Sequence, residues 1–183
     1  LSLIGWEKVE RSLEQIYLPQ PGMQIDLGGV VKEYVADALI ELISATGIKN
    51  ALVNLGGDIA VLGPQPSGEP WHIGVTDPDN PGSAVASIDL SEGAITTSGG
   101  YERVFEIEGH PYSHLLNPKN GMPVDNLLGV SIVAPQAIVA GSLSTIALLK
   151  PEQEAKKWLE DCGAPYLAID RQRDISGSLA TTR

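Results

Sequence analysis

Four short stretches hold the residue types that could do chemistry. The first is Gly28-Gly29, which opens the segment 30–46, VVKEYVADALIELISAT, with Lys32 in its first turn. A helix N-terminus offers unpaired amides and the positive end of the helix dipole, and glycines there let an anion such as a phosphate come close. Lys32 would add a full positive charge, while Asp37, five residues on, points away from it. The same residues also suit a solvated helix face with a tight entry turn, and spacing alone leaves both readings open.

The second is Gly56-Gly57-Asp58, set between the apolar runs 51–55 and 58–62. By itself it is the turn of a β-hairpin. The third, TTSGGYER at 96–103, gathers hydroxyls, glycines and an Arg in what reads as a loop between two strands. Such loops present amides and hydroxyls to ligands, though ordinary hairpin turns share the composition. The fourth is SHLLNPKNGMP at 113–123, where Asn117-Pro118 and Asn120-Gly121 force two turns close together beside His114. An imidazole held on so rigid a bend can serve as a base or a ligand contact, although a lone His is more often structural. His72 and His110 read as ordinary surface or strand residues. There is no Ser-His-Asp order, no CxxC and no HExxH.

The elements that must position these residues are many strands and three helices. Segment 30–46 is the clearest helix, with Val31, Val35, Leu39, Leu42 and Ile43 at helical spacing and Gly47 closing it. Two further helices are expected at 135–149, after Pro135, and at 151–161, after Pro151. Strands are expected as two short pieces within 7–18, then at 51–55, 58–62, 71–76, 84–90, 101–108, 128–134 and 165–170, with 64–70 as a surface loop. Strands outnumber helices and come in consecutive runs, so the class is α+β: a mainly antiparallel sheet with packed helices. No linker divides the chain, so 1–183 is read as a single domain.

Hydrophobic residues make up 43% of the chain and charged residues 19%, the balance of a globular protein with a sizeable core. A net charge of −11 would repel nucleic acid and anionic membrane surfaces. An anionic ligand would have to be held by backbone amides, a few placed cations or a metal. Cys162 is the only cysteine; it excludes an intrachain disulfide and reads as packing rather than chemistry. No apolar run is long enough for direct membrane insertion, and no signal peptide is seen, although the chain begins at Leu1 rather than Met.

Taken together and in order, IDLGGVVKEYVAD (25–37), ALVNLGGDIAVLG (51–63), TTSGGYER (96–103), SHLLNPKNGMP (113–123) and VAGSLSTIALL (139–149) resemble the FAD:protein FMN transferase family, the ApbE-like flavin transferases. The resemblance covers most of residues 25–150 and implies an ApbE-like α+β fold. It also implies the activity: FAD is cleaved at its pyrophosphate, FMN is attached to a Thr or Ser hydroxyl of an acceptor protein, and AMP is released. Mg²⁺ would assist by neutralising phosphate charge.

Residue by residue, the resemblance assigns Lys32, Tyr34 and Asp37 to cofactor contact, together with Gly56, Gly57 and Asp58, and with Ser98, Gly99 and Tyr101. It places His114 near the acceptor hydroxyl as the catalytic residue, and Asn117 where the family more often has Asp. The metal would be held by the Val31 carbonyl, by Thr145 and by the residue at 141. Two departures stand out. Position 141 is Gly where the family carries Asp, and position 33 is Glu where Gly is commoner. Losing the Asp removes a charged oxygen that a hard cation prefers, so the alternative is a member that binds FAD without catalysis, its metal site disabled at Gly141.

Only the first 24 residues precede the 25–37 segment, fewer than full members carry, so the chain corresponds to the C-terminal major part of the family domain. Periplasmic or membrane-associated placement follows from the resemblance alone. The tail DISGSLATT loosely resembles the S-G-A-T motif of flavinylated acceptors, but the spacing is wrong, and a terminal strand is expected there.

Overall fold

The computed structural model describes residues 1–80, 82–101 and 104–180. Its centre is a six-stranded, wholly antiparallel sheet. To name its strands in chain order, we label β1 Glu10–Arg11, β2 Ile16–Tyr17, β3 Ala51–Leu55, β4 Asp58–Leu62, β5 Trp71–Thr76 and β6 Ala84–Leu90. There follow β7 Gly93–Gly99, β8 Val104–Ile107, β9 His110–Ser113, β10 Leu127–Ala134, β11 Tyr166–Asp170 and β12 Ile175–Ser176. The sheet runs β12-β11-β10-β7-β4-β3, and β1-β2, β5-β6 and β8-β9 form three separate hairpins. The helices are α1 Val31–Ala45, α2 Ala137–Leu148 and α3 Glu152–Cys162. The expected α+β class with a mainly antiparallel sheet is therefore what the chain adopts.

Local signals explain most of these elements. Gly56 and Gly57 have φ of +66° and +99°, the pairing a two-residue hairpin turn needs, and they join β3 to β4. Gly47 (φ +91°) follows α1 and Gly163 (φ +68°) ends α3, both in the left-handed conformation that costs glycine least. The buried residues of α2 are mostly small (Ala137, Ala140, Gly141, Ser144 and Ala147), so the helix lies close against β7 and β10. Val130, Ile132, Leu148 and Leu159 fill the layer beneath it. On the opposite face the β5-β6 hairpin packs Ile73, Val75 and Ile88 against Val61, Ile95 and Leu167.

Several expectations are corrected. The two short strands expected within 7–18 are present as β1 and β2, beside a 3₁₀ turn at Trp6–Lys8, and the changes lie elsewhere. Residues 96–99 are not loop but the end of β7, a central strand between β4 and β10. Strand β9 was not anticipated, and β8 begins at Val104 rather than 101; Glu102 and Arg103 lie outside the described residues. The apolar stripe read on α1 is not its buried face: Val31, Val35 and Leu42 are exposed, whereas Glu33 and Ala36 are buried. Cys162 is the last residue of α3 and is exposed rather than packed. The tail pairs through β12 with β11, as a terminal strand; Thr181 and Thr182 of the acceptor-like motif lie outside the described residues. Among the described residues no helix is long and apolar enough to cross a membrane.

One buried charge supports the far edge of the sheet. The Asp170 carboxylate, 5% exposed, accepts from Lys156 Nζ of α3 at 2.9 Å and from the amides of Gln172 and Asp174 at 3.0 Å each. Burial alone would push its pKa up, but Lys156 and the two amides outweigh it and hold the carboxyl below the ordinary value. A depressed carboxylate stabilises the fold above its unfolded pKa, and that contribution fades as the pH falls through the folded one. Urea midpoints measured from pH 6 down to pH 2 should fall for the wild type. Asp170→Asn should be about 1–2 kcal/mol less stable at neutral pH and show a shallower acid loss.

Candidate functional site

A polar cleft opens where the N-terminus of α1 faces the ends of β4 and β7 and the middle of α2. Its walls include Gly28, Gly29, Lys32, Glu33, Asp58, Thr97, Ser98, Gly99, His114 and Thr145. Gly28 and Gly29 lie just ahead of the N-cap Val30, and a side chain at Gly29 would meet nothing within 4 Å, so the approach to the helix end is open there.

Lys32 does not wait for a ligand anion alone. Its Nζ is 2.5 Å from Oδ2 of Asp58, which is only 4% exposed at the start of β4. The Lys neutralises a carboxylate that would otherwise be buried unpaired. Glu33, on the next residue of α1, is 6% exposed, and its Oε2 is buried with no hydrogen-bond partner. Burial raises its pKa, chiefly by desolvation, with Asp58 and Asp37 adding to the rise against Lys32 and its own backbone amide. Among the described residues, the charged side chains of the cleft are thus one Lys against two carboxyl groups.

The opposite wall is a relay of hydroxyls whose direction can be worked out. Ser144 Oγ donates to the Gly141 carbonyl at 3.0 Å. With its only proton committed, it must accept from Ser98 Oγ at 2.8 Å. Ser98 then has no second proton, so Thr145 Oγ1 donates to it at 3.2 Å. Thr145 is left with its lone pairs available, which is the acceptor a cation or a ligand donor requires.

The structure gathers six of the expected residues, Lys32, Asp58, Ser98, Gly99, His114 and Thr145, around one cleft. The others do not line it. Gly56 and Gly57 are exposed hairpin residues, and Asn54 Oδ1 accepts from the Gly57 amide at 2.9 Å. Tyr34 and Val31 are exposed on α1, at 63% and 44%. Asp37 caps α2: its Oδ1 accepts from the Ala137 amide at 2.7 Å and its Oδ2 from Ile138 at 3.0 Å. Asn117 braces its own turn, accepting from the Lys119 amide at 2.9 Å. Tyr101 lies over Gly99, where a Cβ would come within 2.5 Å of its ring. Gly141 is buried behind Glu33.

Glu33, Thr97 and Ser144 were not singled out as site residues. The available signal for Glu33 was its place three residues before Ala36 and seven before Ile40, on the face that packs against the sheet. No group of three or more His, Cys, Asp or Glu side chains clusters among the described residues. A metal here would have to draw on single carboxylates, hydroxyls, carbonyls and the ligand itself.

Comparison with known proteins gives these positions a context. The ApbE family profile matches residues 1–167. An FAD:protein FMN transferase of Klebsiella pneumoniae is 35% identical over 165 residues, covering 87% of this chain and 50% of that protein. One from Treponema pallidum is 36% identical over 140 residues, covering 71% and 39%. The crystal structure of the ApbE protein of Thermotoga maritima superposes with a TM-score of 0.87 at 31% identity, covering 95% of this chain and 58% of that one. The chain spans about half the length of the curated relatives it matches.

Proposed function

This chain belongs to the ApbE family, and on that premise we propose that it carries the transfer site of an FAD:protein FMN transferase. The acceptor is a protein bearing a Thr or Ser hydroxyl. The hydroxyl oxygen forms a bond to the FMN phosphorus, the bond from that phosphorus to the bridging oxygen breaks, and AMP leaves with that oxygen. His114 takes the proton of the attacking hydroxyl. The observation that carries this reading is the cleft itself, which draws Lys32, Asp58, Ser98, His114 and Thr145 from five separate stretches into one site.

Charge explains why a divalent cation belongs to the proposal. The Lys32 ammonium is already paired with Asp58, so a bound pyrophosphate would meet little net positive charge among the described residues. Mg²⁺, when bound, would supply that neutralisation and stabilise the leaving phosphate. The residues present fit such an ion: Thr145 presents oxygen lone pairs, and Glu33 has a buried oxygen without a partner. The protein's own part is to orient the phosphates against the Gly28-Gly29 end of α1 and to hold the hydroxyl relay in one direction.

The test is to incubate the protein with FAD, Mg²⁺ and an acceptor bearing an S-G-A-T segment, and to look for flavin fluorescence on the acceptor after denaturing electrophoresis. A labelled band is expected, lost with EDTA and absent when FMN replaces FAD. His114→Ala should slow labelling by about 100-fold while leaving FAD binding nearly intact. Tight FAD binding without any labelling would overturn transfer in favour of a non-catalytic flavin binder.

A further inference from the structure

Glu33 and Gly141 look like two unrelated oddities in the sequence, yet they occupy the same space. A Cβ built on Gly141 would lie 2.7 Å from both Cγ and Oε1 of Glu33 and 3.1 Å from its Cδ. No real side chain tolerates that approach, so the Glu33 carboxylate sits over α2 only because position 141 is glycine. Gly141 is within a regular helix and has no left-handed φ, so its backbone does not demand glycine. The neighbour does.

The carboxylate so placed is unfinished. It is 6% exposed, and among the described residues Oε2 has no hydrogen-bond partner. An ionised carboxylate buried without a partner is costly, and natural sites resolve that cost with a proton, a cationic side chain or a metal. Among the described residues, the one Lys lining the cleft is held by Asp58. Glu33 also shares the cleft with Thr145, which lies one helical turn beyond Gly141 on α2 and keeps its lone pairs available. A carboxylate oxygen and a hydroxyl oxygen converging on one polar cleft are the donors a hard divalent cation selects.

We propose that Glu33 is a ligand of a divalent cation held between α1 and α2, so that the site's carboxylate enters from α1 rather than from position 141. The inference rests on the transferase reading only for the FAD phosphates that would complete the coordination shell. It removes the reason for regarding Gly141 as a disabling change: the carboxylate has moved to the other wall of the cleft.

Mn²⁺ serves as the probe, its free form followed by electron paramagnetic resonance as it is titrated with the full chain, with and without FAD. Saturable binding is expected for the wild type. Glu33→Gln keeps the side-chain volume, and its folding is checked by circular dichroism; it should weaken Mn²⁺ binding roughly tenfold or more. The double variant Glu33→Gly with Gly141→Asp returns a carboxylate from α2 and should recover Mn²⁺ affinity to within about threefold of wild type. Unchanged Mn²⁺ affinity in Glu33→Gln, no Mn²⁺ binding by the wild type, or a folded double variant that stays weak would each overturn the proposal. Acceptor labelling together with a Glu33-independent Mn²⁺ site would sink this inference alone. Glu33-dependent Mn²⁺ binding without labelling would sink the transferase reading and leave this one standing.

Discussion

Gly141→Asp, the change to the residue that the resemblance implies at this position, is expected to destabilise the chain by about 3 kcal/mol instead of improving its site. The new Cβ would arrive 2.7 Å from Glu33 Cγ in a helix face packed against the sheet. Overpacking of that kind typically costs about 1–3 kcal/mol. A second carboxylate beside Glu33 adds like-charge repulsion in a buried place, while leaving glycine in a helix returns only a few tenths, of order 0.5 kcal/mol. Urea denaturation of the wild type, the two single variants and the Glu33→Gly, Gly141→Asp pair forms a thermodynamic cycle. The pair should lie within about 1 kcal/mol of wild type, roughly 2 kcal/mol more stable than Gly141→Asp alone. Additive effects would mean that Glu33 is free to swing away from α2.

Asp37→Ala is expected to be the other severe change, at about 3 kcal/mol. It strips the acceptor from two amides at the start of α2, those of Ala137 and Ile138, and Ala137 is fully buried. It also removes a negative charge from a helix N-terminus, worth about 0.3–1 kcal/mol on its own. Asp37→Asn keeps one acceptor and should lose about half as much. The variant also separates two roles. If Asp37 acts as the cap, urea midpoints fall first and FAD affinity falls only because α1 and α2 no longer hold the cleft's walls together. A residue that merely touched the cofactor would weaken FAD binding at unchanged stability.

That contrast shows how far the sequence could be read. The ends of α1, the Gly56-Gly57 hairpin and the antiparallel class were legible because glycine φ and apolar alternation are local properties. Strand β7 was misread as loop because Thr96, Thr97, Ser98 and Gly99 have turn composition. They form a central strand in which tertiary neighbours pair with two of these hydroxyls: Thr97 meets Ser131 at 2.7 Å and Ser98 meets Ser144 at 2.8 Å. No window of sequence contains those partners. The α1 stripe failed for a related reason. Val31, Val35 and Leu42 keep helical period yet stay exposed, whereas the side that meets the sheet and α2 carries the small Ala36 together with the capping Asp37 and the buried carboxyl of Glu33. At the site, six residues that the resemblance named, Lys32, Asp58, Ser98, Gly99, His114 and Thr145, line one cleft. The resemblance could not reveal that Glu33 and Gly141 are one arrangement, because their contact exists only once α1 lies on α2.

The Asp37 cap carries a last consequence, for the order in which the molecule is made. Its two hydrogen bonds join residues 100 and 101 positions apart, and the Ser98–Thr145 contact spans 47. Contacts so distant form late, because the intervening chain must first be collected at an entropic cost. The hairpin carrying Asp58 and the helix carrying Lys32 can meet early, at a separation of 26. The Lys–Asp half of the cleft therefore rests on shorter loop closures than the hydroxyl wall does. Both halves depend on α2, which ends at Leu148: it supplies Thr145 to one wall and the Gly141 surface beneath Glu33 to the other.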